Sequence, residues 1–316
     1  MCIVKSTLLL SLFLFSSLAL AQTGRVIYGE DNRHDVFEST NSMHVELARS
    51  TAAMIKTTSV VKQGGGLSQV RGPSLEDRGM CPTERFIKQS TAANCSGFIV
   101  SDKYLVTAGH CIKTQADCDS YSWVFDYKVD HATQSMVVVE DASVYTCKKI
   151  LDRSLESTSM NDYAVIELDR SVANRRPLQF RTSGQIAVGE EILVIGHPTG
   201  LPTKIADKAF VRSLQGKYFV ANLDTYGGNS GSAVFNAKTG MIEGILVRGD
   251  TDYVRRTVST SSQTPNNGGG WWGGSNPTPG PGPTTRTCMA SNECPETGCR
   301  GEDVTYITNI DFLKNL

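Results

Sequence analysis

Short apolar runs separated by turn residues dominate the pattern of this chain. Gly97-Phe98-Ile99-Val100, Tyr104-Leu105-Val106-Thr107, Ser122-Trp123-Val124-Phe125 and Met136-Val137-Val138-Val139 lie between residues 81 and 169. Their β-branched and aromatic content, with breaks at Ser-Asp or Asp-His, predicts strands. A second series follows: Glu191-Ile192-Leu193-Val194-Ile195, Ala209-Phe210-Val211, Tyr218-Phe219-Val220, Ala233-Val234-Phe235 and Met241 to Val247. No long helical periodicity interrupts either series, so the chain reads as all-β, with two groups of strands forming two barrels or a sandwich. The periodicity alone does not choose between these.

The two ends differ from this pattern. Lys5, the apolar run Leu8 to Phe15 and the ending Ala19-Leu20-Ala21 predict a cleavable signal peptide over residues 1–21. That run is too short and too rich in serine to span a bilayer comfortably, so the mature protein is expected to be exported, extracellular or periplasmic, without a membrane span. Toward the other end, residues 257–287 collapse to Ser, Thr, Asn, Gly and Pro around Trp271-Trp272. Such a segment buries too little surface to order itself and reads as a low-complexity insertion. Beyond it, Val304, Ile307, Ile310 and Leu313 recur every three residues, which predicts a C-terminal helix docked on the second strand group.

Composition changes this picture little. The 316 residues are 40% hydrophobic and 20% charged with a net charge of −1, so neither nucleic acid nor an anionic surface is an expected partner. The cysteines say more. Of nine, Cys2 leaves with the signal peptide, and Cys81, Cys95, Cys111, Cys118, Cys147, Cys288, Cys294 and Cys299 remain. An even number in an exported chain predicts disulfides, and the absence of close Cys pairs with a nearby His argues against a metal site.

Three segments carry candidate chemistry. Gly227-Gly228-Asn229-Ser230-Gly231-Ser232 is a glycine-dense turn able to aim backbone N–H groups at one spot beside a serine. It is not a nucleophile elbow, because Ser232 stands where a second glycine is required. His110 ends the strand Leu105-Val106-Thr107 within Ala108-Gly109-His110-Cys111, and Asp162 opens the apolar alternation Tyr163-Ala164-Val165-Ile166. Serine hydrolysis needs a hydroxyl, a base held in one tautomer and fixed donors for an oxyanion, and these segments offer a candidate for each.

The order His, Asp, Ser and the segments Thr107-Ala108-Gly109-His110-Cys111, Asp162-Tyr163-Ala164-Val165 and Gly228-Asn229-Ser230-Gly231 closely resemble those of chymotrypsin-like serine proteases. The resemblance covers roughly residues 81–254. It implies two six-stranded antiparallel β-barrels, placed at about 81–175 and 185–316 within a protease domain spanning 26–316. It also implies a secreted endopeptidase acting on proteins or peptides without a cofactor. His110 would be the general base, Asp162 its orienting partner, Ser230 the nucleophile, and the amides of Gly228 and Ser230 the oxyanion hole. A Cys95–Cys111 disulfide is implied as well. Cys118–Cys147 is the preferred second bridge, both residues falling in the first barrel, and Cys81 is expected to pair with one of the C-terminal three.

Asn229 departs from the pancreatic pattern, in which an Asp before the serine receives the new N-terminal ammonium. Bacterial glutamyl endopeptidases share Gly-Gly-Asn-Ser-Gly-Ser, and their mature N-terminus resembles Val26-Ile27 through Asp31-Asn32-Arg33-His34. A short propeptide, residues 22–25, removed after Arg25 is therefore expected. Asp224, six residues before Ser230, matches the pocket aspartate of trypsin-like members, and Gly249 would line that pocket, which implies cleavage after Arg or Lys. Where glutamyl endopeptidases place a pocket histidine this chain has Leu246, and Arg248 would neutralise Asp224 if it turned inward. The alternatives are glutamyl specificity, a catalytically inactive binding protein and, from the Trp pair alone, a surface adhesin.

Overall fold

The computed structural model describes residues 27–260 and 284–316. The signal peptide, the propeptide with its cleavage point, and Trp271-Trp272 lie outside the described residues.

Two closed antiparallel barrels form the molecule. In the first, Val144–Leu155, Asp162–Leu168, Tyr104–Thr107, Ala93–Ile99, Thr51–Lys56 and Tyr121–Val124 are neighbours in that order, and the last pairs back with the first. It begins at Thr51 rather than near residue 81, because Thr51–Lys56 is a strand whose Ala52-Ala53 core gives little hydrophobic signal. In the second, Glu191–Gly196, Ala233–Asn236, Ile242–Arg248, Glu302–Tyr306, Tyr218–Ala221 and Lys204–Leu214 form the ring, closed by pairing of Glu191–Gly196 with Lys204–Leu214. Closure removes the exposed edges that would otherwise invite pairing with other chains. Arg33–Asp35 adds to the outside of Lys204–Leu214, so the N-terminal segment is tied to the second barrel.

The apolar alternation fills these barrels. Phe98, Leu105, Val106, Trp123 and Ile166 are fully buried in the first, and Phe219, Val234 and Val304 in the second. One continuous cluster joins the first barrel to Phe235, Ile242, Ile307, Ile310 and Leu313, so the seam between the barrels is packed apolar surface.

The C-terminal α-helix is not formed. Val304 belongs to the strand Glu302–Tyr306, and the chain ends in two 3₁₀ turns, Ile307–Asn309 and Asp311–Asn315. The spacing of three that suggested a helix is the 3₁₀ period of 3.0 residues per turn rather than the α period. The segment packs between the barrels, with Phe312 edge-on to Tyr104 of the first barrel at 5.3 Å. The rims of the low-complexity insertion are also ordered. Tyr253–Thr260 and Thr284–Ser291 form an antiparallel ladder, using the β-branched threonines that flank the Gly/Pro stretch.

Four disulfides fasten the fold: Cys81–Cys288, Cys95–Cys111, Cys118–Cys147 and Cys294–Cys299. Cys81 thus joins the C-terminal trio, and the remaining two of that trio pair locally.

Candidate active site

The first barrel positions two of the three candidate side chains. Asp162 opens a strand paired with Tyr104–Thr107, and His110 lies in the turn that leaves the latter. Gly109 permits that turn to press against its neighbours. A Cβ there would lie 2.1 Å from the Ser154 carbonyl oxygen and 2.7 Å from that of Tyr163. Asp162 is only 2% exposed and accepts twice from His110: Oδ1 from the backbone N–H at 3.1 Å, and Oδ2 from Nδ1 at 2.8 Å. An ionised carboxylate only accepts, so the proton resides on Nδ1 and the Nε2 lone pair is left for an incoming proton. The Asp162 loop is held in turn from the second barrel. Arg248 donates to the Met160 carbonyl at 3.1 Å, and Asn309 Nδ2 to Asn161 Oδ1 at 3.1 Å.

The backbone of Ser230, in the second barrel, meets the first barrel beside the histidine turn. Its carbonyl oxygen accepts from the Ser96 amide at 2.8 Å and lies 3.7 Å from Cys111 Sγ, the residue after His110. The Cys95–Cys111 disulfide spans the same contact. The next residue, Gly231, has φ of +88°, and a Cβ on it would meet Ser96 O and Thr107 Oγ1 at 2.2 Å, so only glycine lets the turn come this close to the histidine strand.

Backbone donors converge there. Gly227 N–H is taken by Asp252 Oδ2 at 2.7 Å, Asn229 N–H by Tyr226 O at 2.9 Å and Gly231 N–H by Leu246 O at 2.7 Å. Among the described residues, the amides of Gly228 and Ser230 have no such partner. The turn carrying them is braced by Ser96 Oγ, which donates to Gly228 O at 2.8 Å and accepts the His197 amide at 3.1 Å. Two free, fixed N–H groups beside a serine are suited to developing negative charge on oxygen.

His197 is fully buried and sits behind this turn, its carbonyl in the space a Gly228 Cβ would need. Burial lowers its pKa to about 3, so it is neutral and adds no competing positive charge. Nothing in its sequence context distinguished it from a surface histidine.

The expected pocket residues Asp224 and Gly249 each lie against partners distant in sequence. Asp224 is 3% exposed, and its two oxygens accept the amides of Tyr28 at 2.8 Å and Asn32 at 2.9 Å. Burial raises its pKa to about 7 despite those bonds. Arg248 does not turn toward it; Nε pairs with Asp303 at 3.0 Å. Leu246 faces the interior of the second barrel. Gly249 lies against Glu302, a buried acid that sequence reading did not single out; a Cβ at 249 would sit 2.0 Å from Oε2. Burial pushes Glu302 up to about 8. Cys95, His110 and Cys111 bring ligand-type atoms within 4.8 Å of one another, but both sulfurs are committed to a disulfide and offer no thiolate.

No curated protein matches the chain significantly. A solved structure of Glu endopeptidase in complex with MPD aligns over 71% of this chain and 88% of its own, at 19% identity and a TM-score of 0.44. Residues 95–245, which contain His110, Asp162 and Ser230, match the family model described as a trypsin-like peptidase domain. Over those residues the chain is a trypsin-like peptidase domain, as in the chymotrypsin/trypsin-like serine endopeptidases.

Proposed function

We propose that this endopeptidase is exported and cleaves peptide bonds after Arg or Lys with His110, Asp162 and Ser230 as its triad. The observation that carries the triad is the double hydrogen bond from His110 to Asp162, which fixes the tautomer a general base requires. His110 Nε2 takes the Ser230 hydroxyl proton as Oγ attacks the scissile carbonyl carbon. The carbonyl oxygen becomes an oxyanion facing the amides of Gly228 and Ser230. Collapse of this intermediate breaks the C–N bond, the proton passes from His110 to the leaving amine, and an acyl-enzyme remains. Water then repeats the sequence, releasing the acid and restoring Ser230.

Preference for a basic side chain is supported by the acids Asp224, Asp252 and Glu302 gathered behind the Gly227–Ser230 turn. Export is supported by the residue 1–21 pattern and by four disulfides, bonds that persist in oxidising compartments.

The test is cleavage of a mixed peptide library by the mature protein beside Ser230→Ala. Loss of a triad nucleophile costs about 10⁶-fold in turnover. Cuts after Arg and Lys that vanish in the variant are the expected result. Ser230-dependent cuts after Glu would keep the triad and reject the specificity, and no Ser230-dependent cleavage would reject the whole reading.

A further inference from the structure

Two segments beside the reactive serine separate and then meet again at one side chain. Gly231 N–H bonds Leu246 O and Leu246 N–H bonds Ser232 O, so the serine turn and the strand Ile242–Arg248 are joined there. Moving away from that point, residues 225–228 run along one side and residues 247–249 along the other. Both converge on Glu302. Thr225 Oγ1 donates to Oε2 at 2.8 Å, and Gly249, itself exposed, leaves open the space its own Cβ would take from that carboxylate. Tyr28 OH closes the inner side, donating to Oε1 at 3.4 Å.

Asp224, by contrast, is engaged elsewhere. Both its oxygens accept amides of the N-terminal segment, from Tyr28 and Asn32. The same segment places the Arg33 guanidinium 4.3 Å from the Tyr226 ring centre, two residues further toward the serine. A carboxylate so held serves the connection between the N-terminal segment and the serine turn.

We propose that Glu302, not Asp224, supplies the negative charge that selects the basic substrate side chain, while Asp224 is a positioning residue that fixes the serine turn to the N-terminal segment. The inference rests on the proposed cleavage after Arg or Lys. Glu302 accepts from Thr225, Tyr28 and the Asp250 amide, but these are neutral donors, and burial and the nearby charge of Asp252 both disfavour its ionised form. An arriving ammonium or guanidinium therefore relieves both desolvation and like-charge repulsion. An uncharged side chain of similar length leaves the acid without a counter-charge and is disfavoured.

The experiment compares kcat/KM on peptides differing only in Lys, Arg, Gln or Met before the scissile bond, for the mature protein, Glu302→Gln and Asp224→Asn. In Glu302→Gln the ratio of Lys or Arg over Gln should fall on the order of 100-fold, with turnover of the Gln peptide retained. Glu302→Asp, which keeps the charge, should restore part of the ratio and guards against misfolding as the explanation. Asp224→Asn should lower kcat on every peptide alike and leave the ratio unchanged. A ratio that collapses in Asp224→Asn and survives in Glu302→Gln overturns the inference while leaving the basic specificity intact. If the unaltered enzyme shows no preference for Lys or Arg, the proposed specificity itself fails.

Discussion

The amide of Tyr28 donates to Asp224 Oδ1 at 2.8 Å, joining residues 196 positions apart. Asp224 lies only six residues before Ser230, so the N-terminal segment is part of the scaffold that shapes the reactive turn. Its anchorage continues at Asp35, whose buried carboxylate pairs with Lys204 Nζ at 2.5 Å, with Gln89 bonded to both.

Lys204→Ala is expected to destabilise the protein by about 3–5 kcal/mol, because it strands Asp35 as a buried charge without its partner. Lys204 is only 2% exposed and Asp35 3%, so water cannot replace the lost contact cheaply. Urea unfolding followed by tryptophan fluorescence measures the difference. A loss below about 1 kcal/mol, the range of exposed pairs, would refute the claim that this pair anchors the segment.

Asp162→Asn should leave KM close to that of the parent and lower kcat by about 10⁴-fold. An asparagine amide donates where the carboxylate accepts, so His110 would present its lone pair at Nδ1 and its proton toward Ser230. The variant keeps shape and volume, and near-parental melting alongside lost turnover would separate tautomer control from folding. Turnover within tenfold of the parent would show that His110 does not depend on this hydrogen bond.

Much of this site was legible because its residues are packed into short, contiguous motifs. Thr107 to Cys111 and Gly227 to Ser232 each bring a reactive side chain together with the glycines and cysteine that position it. The partners that complete the site come from distant parts of the chain. His197 and Glu302 carry no local motif, and their environments arise only when the second barrel closes. The first strand of the first barrel escaped because Thr-Ala-Ala-Met-Ile-Lys alternates weakly, its burial on successive residues being set by the barrel around it. The C-terminal turns were misread for a different reason: a spacing of three is compatible with a loose α reading and is the true period of 3₁₀.

Gly109→Ala tests how tightly the histidine turn is packed. The new methyl would fall within 2.1 Å of the Ser154 carbonyl oxygen, and both neighbouring atoms in the way are backbone, which has little freedom to move. The turn must shift, carrying His110 with it. Misplacement of a catalytic group by about 1 Å costs roughly 100-fold, so kcat should fall by at least that much. Parental kcat in Gly109→Ala would mean that the turn tolerates displacement and that its packing does not set the position of His110.

The stability contributed by Asp224 and Glu302 should fall as pH rises from about 4 to about 8, the reverse of ordinary carboxylate behaviour. Buried His197, whose pKa is lowered, acts in the opposite sense below its ordinary value. Burial raises Asp224 to about 7 and Glu302 to about 8, both above their unfolded values. A group whose folded pKa is raised binds its proton more tightly in the folded state. Its stabilising contribution is therefore complete below the unfolded pKa and is lost as pH climbs through the folded one. Around Glu302, the neighbouring charge of Asp252 reinforces this direction, while Thr225, the Asp250 amide and Tyr28 oppose it by bonding the carboxylate. Thermal melting of the Ser230→Ala protein, which cannot digest itself, gives the profile cleanly. In that background Glu302→Gln, neutral at every pH, should flatten the decline between pH 5 and 8 by about 1.4 kcal/mol for each unit by which the acid's pKa is raised. An unchanged slope would show that Glu302 ionises at its ordinary pKa and is better solvated than its burial implies.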